Sequence, residues 1–164
     1  PVDAGFALLE ATLDRARAGL TAEMLGTASC AFDMTVDYLK TRVQFGQVIG
    51  SFQALGHRAA SLFTQLELNR SCVEAALQAI DADAADIAEL CSLSKARVGA
   101  FLHHASNELI QIHGGMGLMD ELPLERIWRD ARVERAVGDR ARGGGDAAAP
   151  SGCDQICRSH PRGE

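Results

Sequence analysis

Apolar residues recur at steps of three and four along most of the chain, a spacing that places side chains on one face of an α-helix. The first such stripe runs from residue 3 to about residue 43 without a proline and predicts one long helix. A helix of that length would span about 60 Å, so it needs long partners to cover its apolar face. The stripe consists of Phe6, Leu9, Leu13, Ala16, Leu20, Met24, Ala28, Ala31, Thr35 and Tyr38.

The segment Arg42–Gly50 interrupts this period with two glycines, and a second helix is predicted to follow it to about residue 80. Ser51 is the predicted N-cap, because a serine hydroxyl can accept a bond from a free N–H group of the first turn. Near-heptad spacing in this helix favours shallow crossing angles with its neighbours. Its apolar positions are Phe52, Leu55, Ala59, Leu62, Leu66, Val73, Leu77 and Ile80.

Residues 81–86 form a predicted acidic turn, with Asp83 as the candidate cap of a third helix that runs to about residue 112. Pro123 fits the first turn of a short fourth helix that continues to about Val137. Three long helices and one short helix with short connections predict an all-α, up-down four-helix bundle over residues 1–137. The inner face of the third helix is Ile87, Cys91, Ser94, Val98, Phe101, Ala105, Leu109 and Ile112.

Residues 138–164 differ from the chain before them, because they are rich in glycine, arginine and alanine and have no helical period. Such composition lacks the apolar residues that would offset the entropy of folding. We therefore expect a disordered tail after the bundle.

Composition and charge narrow the class of protein further. The 164 residues suffice for one domain with a real core, and 47% hydrophobic but only 5% aromatic residues suit close-packed helices. A formal net charge of −6 argues against nucleic-acid binding. No apolar run reaches the roughly 20 residues of a membrane span. The chain begins with Pro1 rather than Met and has no signal-peptide pattern, so we expect it to be part of a longer protein. The expected location is cytoplasmic.

The five cysteines do not form a disulfide framework. Three lie in helical patterns, where a reduced, buried thiol is expected. Cys153 and Cys157, with His160 nearby, have a loose metal-like spacing, but no second pair of ligands would close the site, so we predict no metal. The helical cysteines are Cys30, Cys72 and Cys91.

The segment Gln111–Gly117 is the first candidate for chemistry, because it places Gly114, Gly115 and Gly117 within four residues after a long helix. Glycine ends helices and lets backbone N–H groups approach a ligand without a side chain in the way. Taken alone, such a segment is more often a plain helix stop than a binding site.

Arg42 is the second candidate, at the predicted end of the first helix and two residues before Gln44-Phe45-Gly46. A guanidinium group there could bind two oxygens of a diphosphate. Spacing by itself favours the simpler alternative, a solvated arginine with Phe45 closing the end of the bundle.

Four motifs, in this order, resemble the C-terminal helical domain of the acyl-CoA dehydrogenases, and the resemblance extends from about residue 6 to residue 135. They agree with the bundle predicted from periodicity. The motifs are Arg42-x-Gln-Phe-Gly46, Ile49-x-x-Phe52-Gln53, Gln111-x-x-Gly-Gly-x-Gly117 and Arg129-Asp-Ala-Arg-Val133.

The resemblance implies an FAD site shared between subunits of a homo- or hetero-oligomer. Arg42 matches the arginine that reaches the FAD pyrophosphate of a neighbouring subunit, and Gln44 and Phe45 match residues beside the adenosine half. Gln111 and Gly115 match a loop that contacts the same cofactor through main-chain groups. The full set of matching positions is Arg42, Gln44, Phe45, Ile49, Phe52, Gln53, Gln111, Gly114 and Gly115.

The resemblance also implies an acyl-CoA substrate. Asp14 and Arg17 match an acidic residue and an arginine of the first helix that lie near the bound acyl-CoA. Ordinary exposed charges on a long helix are the alternative interpretation of this pair. The implied reaction is α,β-dehydrogenation of a thioester, in which a carboxylate removes the α-proton and the flavin accepts a hydride from the β-carbon.

The positions that carry this base in the family hold no carboxylate in this chain. The usual glutamate comes eight residues after the position of Asp130, where this sequence has Gly138, and the position used by other members holds Ala16. Glu134 and Asp139 are close in sequence but lie at the wrong helical phase. We therefore predict no catalytic residue within these 164 residues.

Three explanations compete for the missing glutamate. We favour a tail that is a shifted reading of the true C-terminus. The chain could instead be a non-catalytic, cofactor-sharing or assembly subunit, or the base could have moved. Related flavin enzymes, namely acyl-CoA oxidases and monooxygenases of similar fold, are the alternatives within the enzyme class.

The histidines favour structural interpretations over catalytic ones. His103 and His104 are adjacent, so they cannot share one helix face. His113 lies at the glycine turn, where it is interpreted as a cap of the preceding helix, and a structural role is also preferred for His57.

Overall fold

The computed structural model describes residues 5–136. Four helices carry the fold: α1 (Phe6–Thr41), α2 (Gln53–Asp81), α3 (Ile87–His113) and α4 (Leu124–Ala136). This confirms the all-α bundle of three long helices and one short helix. The predictions for the tail, including Gly138, Asp139 and the Cys153–His160 segment, lie outside the described residues.

Successive helices run in opposite directions. Phe32, late in α1, packs on Phe63, early in α2, with ring centroids 6.1 Å apart. Lys95, early in α3, donates from Nζ to the carbonyl of Glu134 at the end of α4 at 2.9 Å. As a result, α1 and α3 are parallel to each other, and their C-terminal ends lie at the same end of the bundle.

The core lies between α1, α2 and α3, and α3 contacts all three other helices. The periodic positions predicted from the sequence account for most of it, since apolar burial is the main favourable term in folding. The largest fully buried apolar side chains are Met24, Leu62, Val98, Leu102, Leu109 and Leu124.

The interruption between α1 and α2 is more regular than its sequence suggests. Strands β1 (Val43–Gln44) and β2 (Gln47–Val48) pair antiparallel. The turn between them places Phe45 at φ 54° and Gly46 at φ 79°. Two central residues with positive φ match the right-handed twist of a two-residue hairpin, and Gly46 adopts that conformation without steric cost. We refer to residues 42–48 as the arginine hairpin.

The predicted N-cap at Ser51 is wrong. Ser51 ends a short 3-10 turn, Ile49–Ser51, and its hydroxyl donates to the carbonyl of Val48 at 2.7 Å. Helix α2 begins only at Gln53, after Phe52, which makes no side-chain capping bond. A serine hydroxyl that bonds a nearby carbonyl is no longer arranged to cap the helix that follows.

The predicted cap at Asp83 is also wrong. Asp83 has φ 48° and stands just past the end of α2. Its N–H donates to the carbonyl of Ile80 at 3.2 Å, and the N–H of Ala84 donates to the carbonyl of Ala79 at 2.9 Å. This bonding pattern closes the C-terminus of a helix around a left-handed residue. Asp83 therefore ends α2, and Asp86 precedes α3 without a side-chain capping bond.

Within residues 5–136, no helix combines the length and the apolar content needed to cross a bilayer.

Candidate functional site

The two candidate motifs lie at the same end of the bundle. Tyr38, one turn before Arg42, stacks on His113, the residue before Gly114, with ring centroids 4.3 Å apart and planes 25° apart. Because α1 and α3 are parallel, residues that are far apart in sequence meet at their C-terminal ends. The arginine hairpin and the glycine turn (Gly114–Leu118) therefore belong to one surface.

Arg42 is exposed, and its guanidinium has no acidic partner among residues 5–136. Its backbone is fixed on both sides: its N–H donates to the carbonyl of Tyr38 at 2.9 Å, and its own carbonyl accepts from the N–H of Ile49 at 2.8 Å. A fixed backbone with a free guanidinium suits the binding of an anion from solution.

Phe45 does not close the end of the bundle, so the alternative proposed for it is wrong. Its side chain is 91% exposed at the tip of the arginine hairpin. The ring stands edge-on to Phe52, with centroids 6.2 Å apart. The positive φ at the hairpin turn directs Phe45 outward, where a flat aromatic surface is available to a ligand.

Three amide side chains extend this surface. Gln44, Gln53 and Gln111 are all exposed. Gln44 donates from Nε2 to the carbonyl of Val43 at 2.7 Å. The side-chain amides of Gln53 and Gln111 form no hydrogen bond with the described part of the chain, so their donors and acceptors are available to a ligand.

Ile49 is placed differently from the other residues of the proposed set. It is buried in the core with 8% exposure, so it anchors the hairpin and offers almost no surface to a ligand. Next to it, a Cβ on Gly50 would stand 2.7 Å from the carbonyl oxygen of Leu39. This close approach holds the segment after the hairpin against α1.

The glycine turn is open on one side and tightly packed on the other. Gly114, at φ 60°, and Gly115 are exposed, and an added Cβ on either would meet no atom within 4 Å. At Gly117, by contrast, a Cβ would stand 2.9 Å from the carbonyl oxygen of Ile110 and 3.1 Å from Cβ of His113. The turn thus folds back on α3 through Gly117 and leaves the other two glycines accessible.

His113 is buried at the junction of these elements, with 4% exposure. Its Nδ1 lies 2.9 Å from the carbonyl oxygen of Leu109. A carbonyl only accepts, so Nδ1 carries the proton that is donated to it. Burial lowers the pKa of His113, and the bond to Leu109 acts in the opposite direction. The ring is accordingly neutral around neutral pH.

The opposite end of α1 carries a second polar site. Arg17 Nη1 lies 2.6 Å from Oδ1 of Asp14, and Asp14 is buried. The alternative of ordinary exposed charges is therefore wrong for this pair, because water is largely excluded from it. The pair borders a cavity of about 220 Å³ between α1 and the start of α3, which is also lined by Phe6, Leu9, Glu10, Leu13 and Ala88.

Comparison with known proteins agrees with this geometry. A family model described as "Acyl-CoA dehydrogenase, C-terminal domain" matches residues 3–138. The chain belongs to the acyl-CoA dehydrogenase family. The resemblance carried by the four motifs is thereby confirmed.

Individual relatives cover the same part of the chain. Acryloyl-CoA reductase (NADH) of Anaerotignum propionicum is 36% identical over 131 residues, which are 79% of this chain and 32% of that protein. The mitochondrial short/branched chain specific acyl-CoA dehydrogenase of Rattus norvegicus is 34% identical over 129 residues, covering 79% of this chain and 30% of that protein.

Among solved structures, butyryl-CoA dehydrogenase from Megasphaera elsdenii superposes with a TM-score of 0.77 at 31% identity. The match covers 80% of this chain and 34% of that chain. The chain therefore spans about a third of the length of these relatives.

Of the two positions at which the resemblance predicts a base, the structure describes only the one that holds Ala16. Ala16 is exposed on α1, and its methyl group cannot take a proton. Glu134 lies instead where α4 approaches α1 and α3. Burial raises the pKa of Glu134, the Glu23 and Asp130 carboxylates raise it further, and Lys95 lowers it.

Two contacts in this acyl-CoA dehydrogenase domain were not found from the sequence. The stack of Tyr38 on His113 joins the two motifs, and Asn107 links α3 to α4 by accepting from Trp128 Nε1 at 2.7 Å and from Arg132 Nη2 at 3.3 Å. The predicted apolar stripe of the first helix already included Tyr38, and the glycine motif Gln111–Gly117 contains His113. Only the relative register of the helices shows that such residues touch.

Proposed function

We propose that this chain is the C-terminal bundle of a cytoplasmic, FAD-dependent acyl-CoA dehydrogenase and that it provides half of an FAD site at a subunit interface. The observation that carries the proposal is the meeting of the arginine hairpin and the glycine turn at one end of the bundle through Tyr38 and His113. A dinucleotide needs a cation for its phosphates and polar groups along its length, and this surface offers both.

The residues present fit the pyrophosphate and adenosine half of FAD. Arg42 provides a guanidinium that has no acidic partner among residues 5–136, and Gly114 and Gly115 are exposed with no side chain over their main chain. Gln53 and Gln111 offer amides that bond to nothing in the described part of the chain, and Gln44 and Phe45 form the outer edge of the surface with Phe52. When bound, FAD would supply the hydride acceptor of the reaction.

All of these ligand groups except Ile49 face solvent or the edge of the bundle. An FAD molecule held here would therefore have to be covered by a second polypeptide to be removed from water. This is the reason for proposing a homo- or hetero-oligomer in which the partner holds the rest of the cofactor.

Asp14 and Arg17 are proposed to border the acyl-CoA. Their ion pair forms one wall of the cavity at the start of α1, where Leu9 and Leu13 provide apolar surface. A fixed arginine beside apolar side chains suits a thioester that carries polar and aliphatic parts. The pair would position substrate rather than transfer a proton.

A second function is favoured by one observation. Ala16 carries no carboxylate, and the sequence has glycine at position 138. A chain without a base could still complete the FAD site of an active partner. The alternative proposal is therefore a non-catalytic, cofactor-sharing subunit of an acyl-CoA dehydrogenase assembly.

The test pairs this chain with a full-length acyl-CoA dehydrogenase in which the arginine equivalent to Arg42 is replaced by alanine. We expect the purified chain alone to turn over no butyryl-CoA with an artificial electron acceptor. Co-expression should restore flavin to the weakened partner. Arg42→Ala in this chain should abolish that recovery, and Lys40→Ala, an exposed cation half a turn away, should not.

Each outcome of the co-expression experiment has a meaning. Recovery of flavin and turnover supports the dehydrogenase, whereas stoichiometric flavin without turnover supports the cofactor-sharing subunit. If flavin content does not depend on Arg42, the FAD site is refuted. Turnover by the isolated chain would refute the proposal that it is only part of the active site.

A further inference from the structure

Tyr38 and His113, the two residues of the stack, each contact one of the proposed FAD motifs. The carbonyl of Tyr38 accepts from the N–H of Arg42 at 2.9 Å. On the other side, Gly117 packs so closely on His113 that a Cβ added to Gly117 would stand 3.1 Å from Cβ of His113. Each residue of the stack therefore adjoins one of the two motifs proposed to bind the cofactor.

Each ring is also fixed on its own helix. His113 is held by the bond from Nδ1 to the carbonyl of Leu109 at 2.9 Å, and it is almost completely buried. Tyr38 is half-buried and packs against the main apolar core. Two rings with little rotational freedom, 4.3 Å apart, hold the ends of α1 and α3 at one separation.

A ligand that must reach two elements at once is sensitive to their separation. A displacement of about 1 Å is enough to weaken positioned interactions substantially. The core beneath does not set this separation alone, because the arginine hairpin and the glycine turn both lie beyond the last residues of their helices.

We propose that Tyr38 and His113 are positioning residues that set the spacing between the Arg42 guanidinium and the main-chain groups of Gly114 and Gly115, so that both reach one FAD. The inference rests on the proposed function. It adds a role for two side chains that do not themselves contact the cofactor. The neutral Nδ1–H form of His113 performs this role, because that proton is donated to Leu109.

The test compares variants that keep or remove the ring contact in the 164-residue chain. Tyr38→Leu and His113→Leu remove one ring each, whereas Tyr38→Phe keeps the ring and serves as the conservative control. Val73→Ala, in the core of α2, lowers stability without touching either motif. FAD is titrated into each protein while amide chemical shifts of the arginine hairpin and the glycine turn are followed by NMR.

We expect Tyr38→Leu and His113→Leu to weaken the apparent FAD affinity by at least about five-fold. Tyr38→Phe and Val73→Ala should remain within about two-fold of the wild-type protein. Amide exchange at residues 114–117 without FAD should become faster in the two leucine variants only. This second measurement reports the spacing even if a variant binds too weakly to titrate.

Other results would overturn the inference. If Tyr38→Leu binds FAD like the wild type, or if Val73→Ala weakens binding equally, the stack is ordinary core packing. Unchanged amide exchange at residues 114–117 in the two leucine variants would likewise show that the stack does not set the spacing of the motifs. An effect of Arg42→Ala alongside these results would leave the proposed function intact, whereas a wild-type chain that shows no FAD-dependent shift would refute both.

Discussion

At the scale of single residues, the proposed FAD surface depends on which glycines have room for a side chain. Gly114 and Gly115 border open space, whereas Gly117 is pressed against Ile110 and His113. One short motif therefore contains two glycines that keep the surface accessible and one that allows the turn to pack. The two kinds of glycine respond differently to the same substitution.

Gly117→Ala should destabilise the bundle by about 1–3 kcal/mol, because its Cβ would lie 2.9 Å from a backbone oxygen that cannot easily move. Gly115→Ala is the matched control and should change the free energy of unfolding by less than about 0.5 kcal/mol. Urea denaturation monitored by circular dichroism measures both. Equal effects of the two substitutions would contradict the packing of the turn on α3.

His113 should make stability depend on pH. Burial lowers its pKa in the folded state below the ordinary value of 6.5, so the unfolded chain binds a proton more readily. Neutral His113 therefore contributes fully to the free energy of unfolding above pH 6.5. That contribution is lost as the pH falls from 6.5 through the folded-state pKa. The wild type should therefore lose more stability over this window than His113→Phe, as measured by thermal unfolding at several pH values.

The comparison with His113→Phe also separates His113 from His103. Burial lowers the pKa of His103 as well, with Arg132 and Arg135 acting in the same direction. His103 remains in both proteins, so its contribution cancels in the difference. Parallel pH profiles for the wild type and the variant would show that His113 does not carry the effect.

At the scale of elements, α4 is attached to α3 by a small apolar contact and a polar link. Leu124 and Ala131 are the buried residues of α4. The Oδ1 atom of Asn107 accepts from both Trp128 and Arg132, and the Arg132 guanidinium lies 3.2 Å above the Trp128 ring. A short helix with little buried surface depends on such contacts for its orientation.

Asn107→Leu should loosen α4, because it removes the shared acceptor. We expect a loss of about 1 kcal/mol, the usual net contribution of such hydrogen bonds. Trp128 is the only tryptophan in the chain, so its fluorescence reports this contact directly and should shift to longer wavelength. Asn107→Asp keeps an acceptor oxygen and should retain the wild-type emission; an identical shift in both variants would exclude the acceptor as the cause.

At the scale of the whole molecule, the two proposed ligand regions lie at opposite ends of α1. Arg17 and Arg42 are separated by about 38 Å of helix. One bound cofactor at the arginine hairpin cannot also contact the Asp14–Arg17 pair of the same chain. Each chain would consequently contribute its two ends to different active sites of an oligomer.

NMR titrations should show that FAD and acyl-CoA bind at opposite ends of α1. FAD should shift the amide resonances of residues 42–53 and 111–117 and leave residues 14–17 unchanged, because the regions share no contact. Butyryl-CoA should produce the reverse pattern at millimolar concentration. FAD-dependent shifts of comparable size at both ends would contradict the assignment of separate regions.

The sequence by itself determined the helices, because their apolar spacing leaves few other ways to bury that surface. It also identified the family, through the four motifs that begin at Arg42, Ile49, Gln111 and Arg129. The N-cap predictions for Ser51 and Asp83 were wrong. Ser51 belongs to the 3-10 turn before α2, and Asp83 belongs to the C-terminal end of α2, although both residue types are suited to capping. Local chemistry permits both uses, and only the path of the chain selects one.

The tertiary structure decided which of these residues meet. Parallel alignment of α1 and α3 brings Tyr38 onto His113 and thereby joins two motifs that begin 69 positions apart, at Arg42 and Gln111. It also buries Ile49 and Asp14, which the motifs alone do not distinguish from exposed ligand groups. Periodicity specifies the face that each helix buries, whereas the register between helices depends on packing among all of them and cannot be read from any single stretch.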